Sequence, residues 1–186
     1  ETDEQLIDNI KQAKAEGFTA VGHLEPFPTP ARTEPYFKTH ASKIEDAIDL
    51  TRRYREAVGP EVDLCIEIHR RLTPNEAVVL ARGIEPFHPM FYEDPTWPDN
   101  IDQMKWIADR IHIPIATGER LVGKHQVREL ISRRACHIIQ PDLSHCGGLW
   151  EARKIAAMAE AHSIAVAPHN PNGPIATAVT VHFAAA

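Results

Sequence analysis

A (β/α)8 TIM barrel of the α/β class, incomplete at about six strands, is the fold that three features of this sequence predict. Short apolar strands alternate strictly with helices, the pattern of a parallel sheet. Nearly every strand ends in a group able to do chemistry: His69, Glu93, Glu119, Asp142 and His169. Glu67, Glu93 and Glu119 also recur every 26 residues. That is about the length of one strand, one helix and two loops, so consecutive parallel strands bring three carboxylates to the same end of one sheet. An open doubly wound sheet gathers its ligand site at one switch point, whereas a ring of strand-end residues is what a barrel supplies. A closed barrel takes about eight strands and ~250 residues. Six strands in 186 residues therefore read as one strand missing at each end, and residues 1–186 as one partial catalytic domain.

In chain order, residues 3–16 read as a helix that Thr2 caps and Gly17 stops, followed by a buried strand at 18–21. Glu25-Pro26-Phe27-Pro28-Thr29-Pro30 forbids helix and ladder alike and opens an irregular loop to about Thr39, expected to help read the substrate. The helix at 42–58 carries Ile44, Ala47, Ile48 and Tyr54 on an apolar face and stops at Gly59-Pro60. In the next strand, within 62–71, alternation puts Cys65, Glu67 and His69 on one face and Leu64, Ile66 and Ile68 on the other, so a carboxylate and an imidazole share one wall. Thr73-Pro74-Asn75-Glu76 is a capped helix start leading into 77–84. Strand 90–93 follows, then the loop Asp94-Pro95-Thr96-Trp97-Pro98, a helix near 101–110, strand 113–119, a helix near 124–133, and strand 137–140 running to Pro141-Asp142. Gly147-Gly148 opens the helix at 149–161 but lacks the spacing of a nucleotide fingerprint. Strand 164–167 ends at Pro168-His169, and an apolar helix-like run occupies 175–186. Neither end of the chain reads as a domain boundary.

Composition narrows the function classes. With 43% hydrophobic and 25% charged residues, the chain is ordinary for a globular domain. A net charge of -6 and scattered Lys and Arg speak against nucleic acid or an anionic membrane as partner, since phosphate contacts need clustered cations. No apolar run approaches the ~20 residues of a membrane span, and no basic-then-apolar leader signals export, so a cytoplasmic setting is expected. Cys65, Cys136 and Cys146 are odd in number and lack a CxxC pair, which predicts reduced core thiols without a disulfide or zinc site.

Three converging carboxylates repel one another unless a cation sits among them, and oxygen donors favour a hard ion, Mg²⁺ first and Mn²⁺ second. Asp142 and His169 close neighbouring strands, 27 residues apart. An Asp accepting from one imidazole nitrogen fixes the tautomer and leaves the other nitrogen free to take a proton, which makes His169 a candidate general base. His69, counted by strands, lies on the opposite side of the ring. A base, an acid and a divalent ion between them suit proton abstraction next to a carboxylate, because a cation stabilises the enediolate.

Glu67-Ile68-His69-Arg70-Arg71, Tyr92-Glu93-Asp94-Pro95, Pro114-Ile115-Ala116-Thr117-Gly118-Glu119-Arg120, Ile139-Gln140-Pro141-Asp142 with Gly147-Gly148, and Ala167-Pro168-His169-Asn170 together closely resemble the acid-sugar dehydratases of the enolase superfamily, mandelate racemase subgroup. Galactonate and gluconate dehydratases are the most similar in kind. The resemblance implies a (β/α)8 barrel under a separate N-terminal α+β lid, with Mg²⁺ on Glu67, Glu93 and Glu119. It implies that the His169–Asp142 dyad removes a proton and that His69 protonates the departing 3-hydroxyl. The implied reaction is β-elimination of water from an aldonate to a 2-keto-3-deoxy acid, in a homo-oligomer whose partner is a small sugar acid.

Three features depart from the family pattern. The first ligand, more often Asp, is Glu67 here. The Lys that many relatives carry before the Pro-Phe pair gives way to Gly22-His23, which argues against a two-base racemase or a Lys-based cycloisomerase. The lid and two strands have no counterpart in the chain, which therefore reads as a fragment of a longer enzyme or a truncated product. Two alternatives stay open: a racemase or epimerase of the same superfamily using His69 and His169, and, from another class, an inactive structural relic. A zinc hydrolase barrel would present mainly histidine ligands.

Overall fold

Thr2 begins the first helix because its hydroxyl accepts from the Gln5 N–H while the Gln5 side chain accepts from the Thr2 N–H, satisfying two donors that a helix start leaves unpaired. The computed structural model, which describes residues 2–27 and 38–186, divides into two units. One is Glu1–Thr96 with Ile111–Ile113, the other Trp97–Arg110 with Pro114–Ala186. Residues 28–37 of the expected substrate-reading loop lie outside the described residues.

The first unit runs α1 (Asp3–Ala15), β1 (Ala20–Leu24), α2 (His40–Val58), β2 (Asp63–Glu67), α3 (Pro74–Ile84), a 3-10 turn at Glu85–Phe87, and β3 (Phe91–Glu93). Its strands are parallel in the order β1-β2-β3. Ile44, Ala47, Leu50, Thr51, Tyr54 and Val58 recur at helical spacing and form the buried face of α2. Ala77, Val78, Leu80, Ala81 and Ile84 do the same for α3. Each large aliphatic residue so buried contributes about 1.5–3 kcal/mol. Gly83 lets α3 approach α2: a Cβ there would stand 2.3 Å from Ile48 Cδ1. Arg55 of α2 donates to the carbonyls of Phe87, Gly59, Val62 and His88 and so ties the neighbouring turns to one side chain.

The start of α3 is the expected cap. Glu76 accepts from the Thr73 N–H and hydroxyl, both at 2.9 Å, and stands 2.5 Å from Lys43 Nζ and 3.3 Å from His40 Nδ1 of α2. Burial raises its pKa, but Lys43, Thr73 and His40 outweigh burial and hold the carboxyl at about 2, against an ordinary 4.5. A carboxyl depressed in the folded state adds stability that is fully present above the ordinary value and is lost as pH falls through the depressed one. Glu76→Gln is therefore expected to cost about 1 kcal/mol at neutral pH. Urea unfolding over a pH series should show the difference from wild type closing as the pH approaches about 2.

The second unit runs α4 (Ile101–Ala108), β4 (Ile115–Thr117), α5 (Gly123–Ser132), β5 (Ile138–Ile139), α6 (Leu149–Ala161), β6 (Ala165–Val166) and α7 (Pro174–Ala184). Its strands are parallel in the order β4-β5-β6. They are shorter than the apolar runs suggest, although backbone hydrogen bonds extend past them, as from Gln140 N–H to the Thr117 carbonyl at 2.9 Å and from Ala167 N–H to the Ile139 carbonyl at 3.0 Å.

The expected first strand, 18–21, is shifted to Ala20–Leu24. The Phe18 N–H bonds back to the Ala13 carbonyl at 3.1 Å, so Phe18 belongs to the end of α1. Helix α2 starts earlier than the expected 42, because Thr39 caps it through the Ser42 N–H. Cys65, Cys136 and Cys146 are buried free thiols, and burial pushes Cys65 and Cys136 up to about 12. Among the described residues, no helix is long and apolar enough to cross a membrane.

Candidate active site

In the first unit, the pairing of β2 with β3 sets Glu67 opposite Glu93. The two are 3% and 7% exposed, and each offers a carboxylate oxygen within 4.8 Å of the other's. Charges of one sign so close and so far from water are unfavourable unless a cation or a proton is shared between them. An all-oxygen pair of this kind fits a hard divalent ion.

His69 reaches Glu67 by a different route from the one alternation predicts. Strand β2 ends at Glu67, and His69 and Arg70 are both left-handed, with φ of 53° and 65°, so the chain turns where the strand was expected to continue. The turn still brings His69 Nδ1 to 3.1 Å from Glu67 Oε1 and 3.0 Å from Glu25 Oε1. Glu25 Oε2 meets Arg71 Nη2 at 2.5 Å, and the Glu25 carbonyl accepts from the Tyr54 hydroxyl at 3.1 Å, which fixes the segment entering the loop. The turn is braced from below. Arg70 N–H donates to the Asp94 carbonyl at 2.8 Å, and the buried Arg70 guanidinium meets Asp94 Oδ2 at 2.6 Å. Asp94 is also left-handed, with φ 39°. Either charge of that pair, left without its partner, would be stranded out of water, a loss of about 3–5 kcal/mol.

His23 is a site residue that sequence reading missed. The β1–β2 register slips between Val21 and Leu24, and His23 sits in the slip with φ 56°. Its Nδ1 is 2.5 Å from Glu67 Oε2, on the other oxygen from the one facing His69. Glycine within a strand signals such a bulge, and Gly22 was the available clue.

The second unit assembles the other predicted residues. Glu119 is 7% exposed just past β4. Gly118, with φ 129°, is needed before it, since a Cβ would meet Ile139 Cδ1 at 2.6 Å and the Gln140 backbone nitrogen at 3.2 Å. His169 Nδ1 lies 2.9 Å from Asp142 Oδ2, the expected dyad, and its Nε2 lies 3.0 Å from Glu119 Oε2. The second nitrogen, expected to be free, thus faces a carboxylate in this structure. Asp142 is fully buried. Its other oxygen accepts from the Ser144 N–H at 2.7 Å, and Asn172 Nδ2, unanticipated from sequence, donates to both oxygens at 3.1 and 3.3 Å. Burial pushes the Asp142 carboxyl up, but the Ser144 N–H and the His169 ring more than compensate and leave it below its ordinary value. An aspartate kept charged and triply held orients the imidazole and fixes its tautomer.

Residues 5–186 match the family described as enolase C-terminal domain-like. Over 140 residues, 75% of this chain, it is 37% identical to a D-galactonate dehydratase of Cronobacter sakazakii, 37% of whose length is covered. Two solved structures are each 35% identical. A mandelate racemase/muconate lactonizing enzyme-like protein from Roseovarius sp. has a TM-score of 0.89, covering 99% of this chain and 46% of that one. An enolase from Agrobacterium radiobacter, bound to Na and L-malate, has a TM-score of 0.86, covering 96% and 44%. The chain thus spans less than half the length of these relatives.

Proposed function

The chain belongs to the enolase C-terminal domain-like family, a group of α/β barrel domains, and from this premise we propose that residues 1–186 form one catalytic barrel domain of a hydro-lyase acting on a sugar acid. The reaction removes the C2 proton of an aldonate and expels its 3-hydroxyl as water, and the resulting enol tautomerises to a 2-keto-3-deoxy acid. The observation that carries this reading is the placement of His169 on a buried, charged Asp142.

His169 Nε2 takes the C2 proton once its contact with Glu119 is given up, while Asp142, held by Ser144 and Asn172, keeps Nδ1 protonated and the ring aligned. The electron pair of the C2–H bond passes first into the substrate carboxylate as an enediolate, then returns to form the C2–C3 double bond as the C3–O bond breaks. His69, whose Nδ1 faces Glu25 and Glu67, delivers a proton from its other nitrogen to the leaving hydroxyl. Glu67, Glu93 and Glu119 would hold Mg²⁺, with Mn²⁺ as the substitute, and the bound cation supplies positive charge for the substrate carboxylate. The burial and apposition of Glu67 and Glu93 support this assignment, as does the equal spacing of the third acid. A cytoplasmic homo-oligomer acting on a small sugar acid completes the reading, without nucleic acid or membrane as partner.

The test is to incubate the native enzyme with a panel of aldonates and trap 2-keto acid with semicarbazide. Keto acid from at least one aldonate is expected. Configurational change at C2 without keto acid would identify a racemase or epimerase instead, and no change in any aldonate would leave the inactive relic.

A further inference from the structure

We propose that His23, Glu67 and His69 form a second metal site, selective for borderline first-row ions such as Zn²⁺ and Co²⁺. Each of the three offers a donor atom within 4.8 Å of the others. Glu67 is clamped between two imidazoles, His23 on Oε2 at 2.5 Å and His69 on Oε1 at 3.1 Å, and the rings stand edge to face with centroids 6.1 Å apart. Two imidazole nitrogens and one carboxylate make a donor set that suits Zn²⁺ and its neighbours, whereas Mg²⁺ prefers oxygen alone. Three protein ligands also leave a coordination position open to water.

The backbone argues that this placement is built. His23 is aimed at Glu67 by a strand bulge in a left-handed conformation, and bulges of this kind re-aim side chains beside functional sites. The His23 side chain is 73% exposed, so an incoming ion meets it first. Glu25 Oε1, 3.0 Å from the same His69 Nδ1, adds a further carboxylate beside the three donors.

Glu67 would belong both to this set and to the hard-ion set proposed above, so one ion should exclude the other. That competition rests on the hard-ion reading, while the His23 set itself does not. The measurement is calorimetric titration of the metal-stripped protein with Zn²⁺ and, separately, with Mg²⁺, supported by the visible and paramagnetic proton spectra of the Co²⁺ form. Wild type should bind one Zn²⁺, and its Co²⁺ form should show two shifted imidazole N–H resonances. Asn accepts the left-handed backbone at position 23, so His23→Asn should keep the fold, checked by circular dichroism. It should lose one of the two resonances and weaken Zn²⁺ binding by at least ~10²-fold, since even supporting partners of metal ligands are worth about 10–100-fold. Its Mg²⁺ affinity should change less than its Zn²⁺ affinity, because the hard-ion set loses a neighbour of Glu67 and not a ligand. His69→Asn should weaken Zn²⁺ to a similar degree. Absence of stoichiometric Zn²⁺ in wild type, unchanged Zn²⁺ affinity in His23→Asn, or an equal fall of Mg²⁺ and Zn²⁺ in that variant would each overturn the proposal. Histidine-dependent Zn²⁺ binding that Mg²⁺ cannot compete away would uphold the site and count against the hard-ion role of Glu67.

Discussion

His169→Asn is expected to abolish both exchange of the aldonate C2 proton with solvent and formation of keto acid, each by at least ~10²-fold, the usual share of general-base catalysis. His69→Asn is expected to lose keto acid while retaining C2 exchange, because the base and its Asp142 partner are untouched and reprotonation by His169 competes with the stalled elimination. Proton NMR in D₂O with the native enzyme reads both quantities in one experiment, as loss of the C2 proton signal and growth of product signals. Exchange surviving in His169→Asn and vanishing in His69→Asn would mean that the roles are reversed. Full elimination in both variants would remove both residues from the reaction. Asn is chosen because its amide can still hydrogen-bond toward Asp142 from position 169, which separates loss of the base from collapse of the dyad's surroundings.

Glu93→Gln is expected to remove Mg²⁺ binding, and activity with it, while the fold remains. Gln keeps the size of the side chain at a position only 7% exposed but removes the charge opposite Glu67, leaving a poorer cage for a hard ion. Removing one of two apposed buried acids also relieves their repulsion, so the metal-free variant should be at least as stable as wild type in urea. Calorimetric titration with Mg²⁺ and a denaturation curve together make the test. Unchanged Mg²⁺ affinity would refute the assignment, and a large loss of stability without metal would point to a structural role for Glu93.

The strand-end acids and the dyad were legible in the sequence because each stands where an apolar run stops, and in parallel strands that is also where the polar residues of a site collect. His169 and Asp142 could be paired from spacing alone, and the structure sets them 2.9 Å apart. Spacing gave no information where the backbone leaves regular geometry. Period-two alternation carried past Glu67 puts His69 on a strand wall, whereas two successive left-handed residues return it to Glu67 from a turn. The slip in β1 hid His23 for the same reason, since a bulge is decided by the pairing partner and only hinted at by Gly22. Asn172, three residues beyond His169, reaches Asp142 from a loop whose path follows from tertiary packing. The 3-10 turn at Glu85–Phe87 was missed because one helical turn is too short to show a period.

The left-handed histidines at 23 and 69 set the contacts they make to Glu67 against durability. A histidine held at φ of 53° or 56° costs on the order of 1 kcal/mol that glycine would avoid and asparagine would reduce. A laboratory population diversified at these two positions and sorted only for heat resistance should therefore drift toward Gly and Asn. Its survivors would be sturdier proteins without the two imidazoles that flank Glu67, so heat tolerance alone is the wrong screen for keeping the site.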